Sequence, residues 1–69
     1  MIQYYKMADP RKLKKYYMKV FYRNEAIYRE FLKLYDQAKE EGARFPEDVA
    51  WVRFREQYID TDEGWVRRI

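Results

Sequence analysis

The sequence predicts an all-α domain in which one long amphipathic helix, about residues 10–41, carries a second helix, about residues 46–59, packed back on it. The long helix is bounded by a start signal at Asp9-Pro10 and a stop signal at Gly42, with no glycine or proline between them. Aspartate is a favoured N-cap, and proline is tolerated at the first helical position. Glycine readily adopts the left-handed conformation that ends many helices. At 1.5 Å per residue, this helix would be about 45–50 Å long.

The apolar residues of the long helix supply the second observation, because they recur at alternating steps of four and three. This spacing places them on one face as the a and d positions of a heptad seam. The seam has one polar position, Asn24, while Phe21, Tyr28 and Tyr35 flank it and widen it to the width typical of a globular bundle. Its members are Leu13, Tyr17, Val20, Asn24, Ile27, Phe31, Leu34 and Ala38.

The second helix is predicted from its first turn, where Pro46 is followed by two acidic residues. Proline suits the first helical position, and acidic side chains interact favourably with the positive end of the helix dipole. A short loop beginning at Gly42 separates the two helices, which favours an antiparallel arrangement. The apolar positions of the second helix continue to about Ile59.

The two ends of the chain are less regular. Asp60 and Glu63 have the spacing of a capping box, which favours a short third helix. Gly64 weakens that helix, so an extended C-terminal tail is the alternative. Residues 1–8 are expected to form an N-terminal arm of a single domain that spans residues 1–69.

The residue inventory argues against enzymatic function. The chain contains no cysteine, histidine or serine, so it cannot assemble serine-type or cysteine-type nucleophile–base pairs or an ordinary zinc site. The segment from Asp60 to Gly64 superficially resembles a calcium loop but lacks the further oxygen ligands of one. We therefore expect no enzyme activity, cofactor or metal. The absence of cysteine favours a cytoplasmic, soluble protein, and no apolar run is long enough to span a membrane.

Basic residues are concentrated at the N-terminal end. Residues 1–23 contain seven basic residues and one acidic residue, whereas residues 24–48 contain four and seven. A basic patch is predicted on the face opposite the seam, and a chain with this distribution can bind nucleic acid through phosphate contacts. The alternative is a solvated lysine face that serves solubility. The patch consists of Lys12, Lys15, Lys19 and Arg23.

The second helix carries the residues predicted to bind a partner protein. Trp51, Phe54 and Tyr58 share one apolar arc, and Arg55 falls inside it. An arginine there must reach solvent, stack on a ring, pair with an acid such as Glu30, or contact a partner. Tryptophan, tyrosine and arginine are enriched at interface hot spots, so Trp51, Arg55 and Tyr58 are the predicted partner-binding set. The alternative is that the rings only build the core.

Self-association is a further prediction from the charge distribution. In an antiparallel pair of long helices, the basic start of one copy would lie against the acidic end of the other. Asn24 would lie near the two-fold axis, where a polar seam residue fixes register, with Ile27 and Phe31 beside it. An isologous homodimer is the commonest small oligomer.

Residues 34–46, which begin Leu-Tyr-Asp and include Phe45, resemble the opening of LYR-motif proteins. That resemblance implies a small helical accessory subunit that binds acyl carrier protein. However, Asp36 stands where that family has arginine, so the charge that defines the motif is reversed, and no partner is carried over from it.

These observations predict a non-enzymatic protein–protein interaction module, such as a small subunit, adaptor, inhibitor or engineered binder. The alternative is a small nucleic-acid-binding protein that uses the basic N-terminal half of the long helix. The two differ in salt dependence, because phosphate contacts weaken steeply as salt rises.

Overall fold

The computed structural model describes residues 9–68, which form three helices followed by a two-stranded antiparallel sheet. The elements are α1 (Lys14–Val20), α2 (Glu25–Glu40), α3 (Pro46–Gln57), β1 (Tyr58–Thr61) and β2 (Gly64–Arg67). The all-α prediction is therefore wrong at the C-terminal end, where the expected short helix or tail is a hairpin. The predicted N-terminal arm, residues 1–8, lies outside the described residues.

The predicted long helix is also wrong, because the chain leaves the helical conformation between α1 and α2. Tyr22 and Arg23 have positive φ angles of 56° and 59°. The Tyr22 amide donates to the Lys19 carbonyl at 3.1 Å, and the Arg23 amide donates to the Met18 carbonyl at 2.6 Å. These two bonds form a Schellman motif, the common helix ending that uses one left-handed residue.

Contacts from the hairpin stabilise this helix ending, which is unusual because its left-handed residues are not glycine. The Tyr22 hydroxyl donates to an Asp60 carboxylate oxygen at 2.7 Å, and the Tyr22 ring lies beside Gly64. The Trp65 indole N–H donates to the Val20 carbonyl at 3.0 Å, which satisfies one acceptor that the end of a helix otherwise leaves unpaired. Tertiary contacts therefore offset the cost of left-handed backbone at residues that are not glycine.

Replacing Arg23 with glycine is expected to stabilise the protein by about 0.5–1 kcal/mol. Left-handed backbone costs an L-residue roughly 1–2 kcal/mol, and glycine returns part of the gain as extra entropy of the unfolded chain. In a continuous helix, the same substitution would cost about 1 kcal/mol. Urea unfolding measures whether the free energy of unfolding rises or falls. Arg29→Gly within α2 is the matched control and is expected to destabilise, and destabilisation by Arg23→Gly would contradict the helix break.

Both helices after the break have clear end signals, and α3, which corresponds to the predicted second helix, begins and packs as predicted. Asn24 is the N-cap of α2, and its side-chain oxygen accepts from the Ile27 amide at 3.2 Å. Gly42, with a φ of 85°, follows the end of α2 in a second Schellman motif. Pro46 occupies the start of α3, and α3 packs back against α2. Helix α3 ends at Gln57, two residues before the predicted boundary.

The hairpin forms where a capping box was predicted. Tyr58 pairs with Arg67 and Thr61 with Gly64, which leaves a two-residue turn at Asp62-Glu63. The Thr61 hydroxyl donates to the Gly64 carbonyl at 2.7 Å and accepts from the Glu63 amide at 3.1 Å. Gly64 has a φ of 113°, which residues other than glycine rarely adopt. The segment that was interpreted as a helix start is therefore a β-turn closed by Thr61 and Gly64.

Aromatic rings build the core, as in the alternative stated above. The buried hydrophobic residues are Tyr17, Phe21, Tyr28, Phe31, Tyr35, Ala38, Ala50, Phe54 and Tyr58. Phe21 lies at the centre, with its ring centroid 5.2 Å from that of Phe54 and 5.5 Å from that of Phe31. Within residues 9–68, no helix is both long enough and apolar enough to cross a membrane.

Candidate functional site

The predicted partner-binding residues Trp51, Arg55 and Tyr58 all line one groove of about 550 Å³ between α1, α3 and the hairpin. The structure therefore brings together the three residues that were selected from helix spacing. We call this surface the aromatic groove and define it by six of the residues that line it. They are Tyr16, Trp51, Arg55, Ile59, Trp65 and Arg68.

Arg55 stacks on a ring and has no acidic partner among residues 9–68. Its guanidinium carbon lies 4.9 Å from the centroid of the Trp51 ring, a distance at which the cation is attracted to the face of the ring. Among residues 9–68, the Arg55 side chain makes no hydrogen bond or salt bridge. Glu30, the acid that was considered for it, instead pairs with Lys33 at 3.5 Å. An exposed, unneutralised guanidinium therefore lies over an aromatic wall.

Tyr58 is more deeply placed than a surface contact residue. It is 7% exposed, and its ring stacks on Phe54 with a centroid distance of 4.7 Å. An Arg67 guanidinium nitrogen donates to its hydroxyl at 3.3 Å. Trp51 is half-buried, with its ring centroid 4.7 Å from that of Phe31. Tyr58 therefore lies at the base of the aromatic groove, Trp51 forms one of its walls, and Arg55 forms its exposed rim.

Sequence reasoning placed Ile59 on the apolar arc of the second helix but missed Tyr16, Trp65 and Arg68, which complete the groove. Tyr16 is 60% exposed and Ile59 is 44% exposed, while Trp65 is half-buried. The Arg68 guanidinium Nε donates to the Arg55 carbonyl at 2.9 Å and ties the hairpin to α3. A signal for the hairpin was present, since two short runs rich in β-formers flank the two-residue turn at Asp62-Glu63, which Gly64 follows.

The aromatic groove has an excess of positive charge. Arg55 and Arg68 contribute two cations, whereas Asp60 contributes one carboxylate that already accepts the Tyr22 hydroxyl at 2.7 Å. This hydrogen bond raises the pKa of Tyr22, because the neutral phenol donates to the carboxylate. No group of three potential metal ligands occurs within the part of the chain that the structure describes. The groove is therefore suited to an anionic, partly apolar ligand.

A second surface contains most of the predicted basic patch. Lys15, Lys19 and Arg23 line a shallow groove of about 920 Å³, which we call the basic groove. Its remaining lining residues are Lys14, Tyr16 and Met18. Lys14 pairs with Glu25 at 3.4 Å. Lys12 is exposed but does not line the groove. The helix break therefore leaves three of the four predicted residues on a common surface.

The residues predicted for self-association do not share a surface. Asn24 is exposed and caps α2, whereas Phe31 is 0% exposed in the core and Ile27 is half-buried. The antiparallel pairing of long helices has no basis once α1 and α2 are separate, because the seam packs within the chain. Self-association stays a prediction that no contact in the structure tests.

The start of α3 does not suit DNA. Helix–turn–helix units join two helices by a short turn that often contains glycine, as α2 and α3 are joined here around Gly42. Their second helix contacts base edges with its N-terminal residues. Here the corresponding end presents the exposed Asp48 and follows the exposed Glu41. These carboxylates would repel the phosphates that flank a DNA groove.

No protein-family model, curated protein or solved structure matches this chain. The partial LYR resemblance also gains no support from the position that matters most to it. The Asp36 carboxylate accepts two hydrogen bonds from the Arg11 guanidinium at 2.7 and 3.1 Å, which lowers the pKa of Asp36. Asp36 therefore binds a cationic side chain, whereas the motif has a cationic side chain, arginine, at this position.

Proposed function

We propose that this chain is a non-enzymatic protein-interaction module that binds a short segment of another protein in the aromatic groove. The observation that carries the proposal is the Arg55 guanidinium, which stacks on Trp51 at 4.9 Å without an acidic partner among residues 9–68. Exposed Ile59 lies in the same groove. A charged group and apolar surface side by side offer both kinds of contact that a linear segment uses.

The chemistry of the aromatic groove defines the partner segment. Trp51 and Trp65 offer apolar walls for an aromatic or aliphatic anchor. Arg55 can form a charge-assisted hydrogen bond with a carboxylate beside that anchor. Tryptophan and arginine are among the residues that contribute most to binding at interfaces. The partner segment therefore combines one large apolar residue with a nearby aspartate or glutamate.

Replacing Arg55 with alanine is expected to weaken binding of such a segment by about 1–3 kcal/mol without unfolding the protein. The fold should survive because the Arg55 side chain is exposed and makes no hydrogen bond within the described residues. Tyr58→Ala is unsuitable for this test, since Tyr58 is 7% exposed and its loss would disturb the core.

A random peptide library displayed on phage provides the ligand, with the immobilised chain as bait. Enriched peptides are expected to pair an aromatic or aliphatic residue with an acidic one. Both tryptophans of the chain, Trp51 and Trp65, line the aromatic groove. Titration with a synthetic consensus peptide is therefore expected to shift the intrinsic tryptophan emission.

Matched variants separate the aromatic groove from general charge. Arg29→Ala removes an exposed arginine of α2 outside the groove and should leave the affinity unchanged. Val52→Ala is the corresponding control for Ile59→Ala, because Val52 is 59% exposed and does not line the groove. The proposal is wrong if no peptide is enriched, or if Arg55→Ala and Ile59→Ala bind the consensus peptide as tightly as the parent chain.

Two sequence predictions accompany this proposal without depending on it. A cytoplasmic location stays a prediction from the lack of cysteine. Homodimerisation also stays a prediction, and sedimentation equilibrium at micromolar concentration would test it. Any such dimer must use surfaces other than Phe31, which has no exposed area.

A further inference from the structure

We propose that the basic groove is a second binding site and that its ligand is single-stranded nucleic acid. The groove is lined by four cations and by Tyr16 and Met18, with no acidic residue among its lining. This ligand class differs from the peptide assigned to the aromatic groove, and Tyr16 is the one lining residue that the two grooves share.

The cations of the basic groove are arranged along one helix and the turn that ends it. Lys15 and Lys19 lie one helical turn apart, about 6 Å along α1. Arg23 follows at the helix break, where its positive φ places it beyond the end of the helix. A row of separated positive charges matches a ligand whose negative charges also repeat along a chain, as phosphates do in nucleic acid.

Three of these four cations have no acidic partner among residues 9–68, while Lys14 pairs with Glu25. Among residues 9–68, no salt bridge or hydrogen bond involves the side chains of Lys15, Lys19 or Arg23. By contrast, Lys33 of α2 pairs with Glu30, and Arg11 pairs with Asp36. Lys15, Lys19 and Arg23 are therefore available to bind an anionic ligand. Binding of a polyanion there would release its condensed counterions, which drives association.

The aromatic component favours a single strand. The Tyr16 side chain is 60% exposed and lies between the two lysines in sequence. An exposed ring beside cations can stack on an unpaired base, whereas the bases of a duplex are already stacked on one another. The surface therefore suits single strands better than duplex DNA.

The test measures the fluorescence anisotropy of a labelled oligothymidine of about 15 nucleotides, a length that covers one typical single-strand site. The double variant Lys15→Gln/Lys19→Gln is expected to lose at least about ten-fold in affinity at moderate salt. With about four phosphate contacts, the logarithm of the affinity should fall with the logarithm of salt with a slope of about −3. Tyr16→Leu should lose about five-fold or more through lost stacking.

The control variant Lys33→Gln/Lys39→Gln removes the same net charge from α2 and should bind the oligonucleotide within about two-fold of the parent. Arg55→Ala should also bind normally, so failure of the aromatic groove proposal and failure of this one are distinguishable. Circular dichroism confirms that each variant is folded, which is expected because all the substituted lysines are exposed.

Three outcomes would overturn the proposal. The first is no binding of the oligonucleotide at low salt. The second is equal weakening by both lysine pairs, which would show only attraction to net charge. The third is binding to vesicles of anionic and neutral phospholipid, or to a duplex of the same length, at least as tight as binding to the oligonucleotide. Tighter binding to the single strand with dependence on Lys15, Lys19 and Tyr16 supports it.

Discussion

Replacing Phe31 with alanine is expected to unfold the domain, or to leave it marginally stable. Phe31 is 0% exposed, and its ring centroid lies 4.7 Å from that of Trp51 and 5.3 Å from that of Tyr17. Loss of a buried phenylalanine side chain costs about 3–5 kcal/mol. A domain of this length rarely has more than about 3–5 kcal/mol of stability. Circular dichroism and urea unfolding of the variant measure the effect.

Phe45→Ala is the matched control for this experiment, because Phe45 is 42% exposed in the loop before α3. We expect it to cost far less than Phe31→Ala. The two variants also distinguish a core position from an interface position. A folded Phe31→Ala protein with near-parent stability and an altered oligomeric state would place Phe31 at an interface between chains and contradict the core described above.

Alkaline solution is expected to lower the stability of the protein through its buried tyrosines. Burial raises the pKa of Tyr17, Tyr28 and Tyr35 above the ordinary value of 10.0. The indole N–H of Trp51 acts in the opposite direction at Tyr17, and the nearby Arg11 does so at the other two. In all three, burial outweighs the opposing effect.

The direction of this change in stability follows from the protons that the folded and the unfolded chain bind. Between pH 10 and the raised pKa values, the unfolded chain releases tyrosine protons that the folded chain retains. Stability is therefore fully present below about pH 10 and falls as the pH rises. Each unit of difference in pKa contributes about 1.4 kcal/mol, and three hydroxyls contribute together. Urea unfolding at about pH 8 and about pH 11 should show the loss.

A matched pair of variants tests the origin of this effect. Tyr17→Phe keeps the buried ring and removes one titrating hydroxyl, so it should lose less stability between the two pH values. Tyr16→Phe makes the same change on the exposed neighbour. The explanation fails if tyrosinate absorbance develops fully while the urea midpoint stays constant, since the hydroxyls would then ionise within the folded protein.

The helix break shows why part of the fold could not be predicted from the sequence. The ends of α1 and α2 use the same Schellman motif, with left-handed residues at Tyr22 and Gly42. Glycine indicates that conformation by its residue type, so the end of α2 was predicted closely. Tyrosine does not, and its conformation depends on Asp60 and Gly64, which lie about forty residues away in sequence. Local signals contain no information about such contacts.

The C-terminal hairpin was missed because its turn residues have two interpretations. Asp60 and Glu63 fit the spacing of a capping box, but Thr61 and Gly64 together close a β-turn. The decisive difference is tertiary. In the strand, Trp65 reaches the core and donates to the Val20 carbonyl, and this contact with a distant helix cannot be read from local spacing.

The candidate site was predicted in part, for reasons that can be traced to single residues. Trp51, Arg55 and Tyr58 lie within one helix and the residue that follows it, so helical spacing was sufficient to place them on one side. Tyr16 and Trp65 come from α1 and β2, and only the folded arrangement brings them to the same groove. The predicted role of Tyr58 as a contact residue also overlooked its depth, because residue type does not report burial.

The hairpin has a consequence for how this chain avoids uncontrolled assembly. A two-stranded sheet has an outer edge on each strand, and exposed edges can recruit strands from other molecules and initiate aggregation. Here each strand has only four residues, and exposed charges lie at Asp60 on β1 and Arg67 on β2. Short length and charge both discourage edge-to-edge pairing. The hairpin that lines the aromatic groove therefore also has edges that disfavour pairing with strands of other molecules.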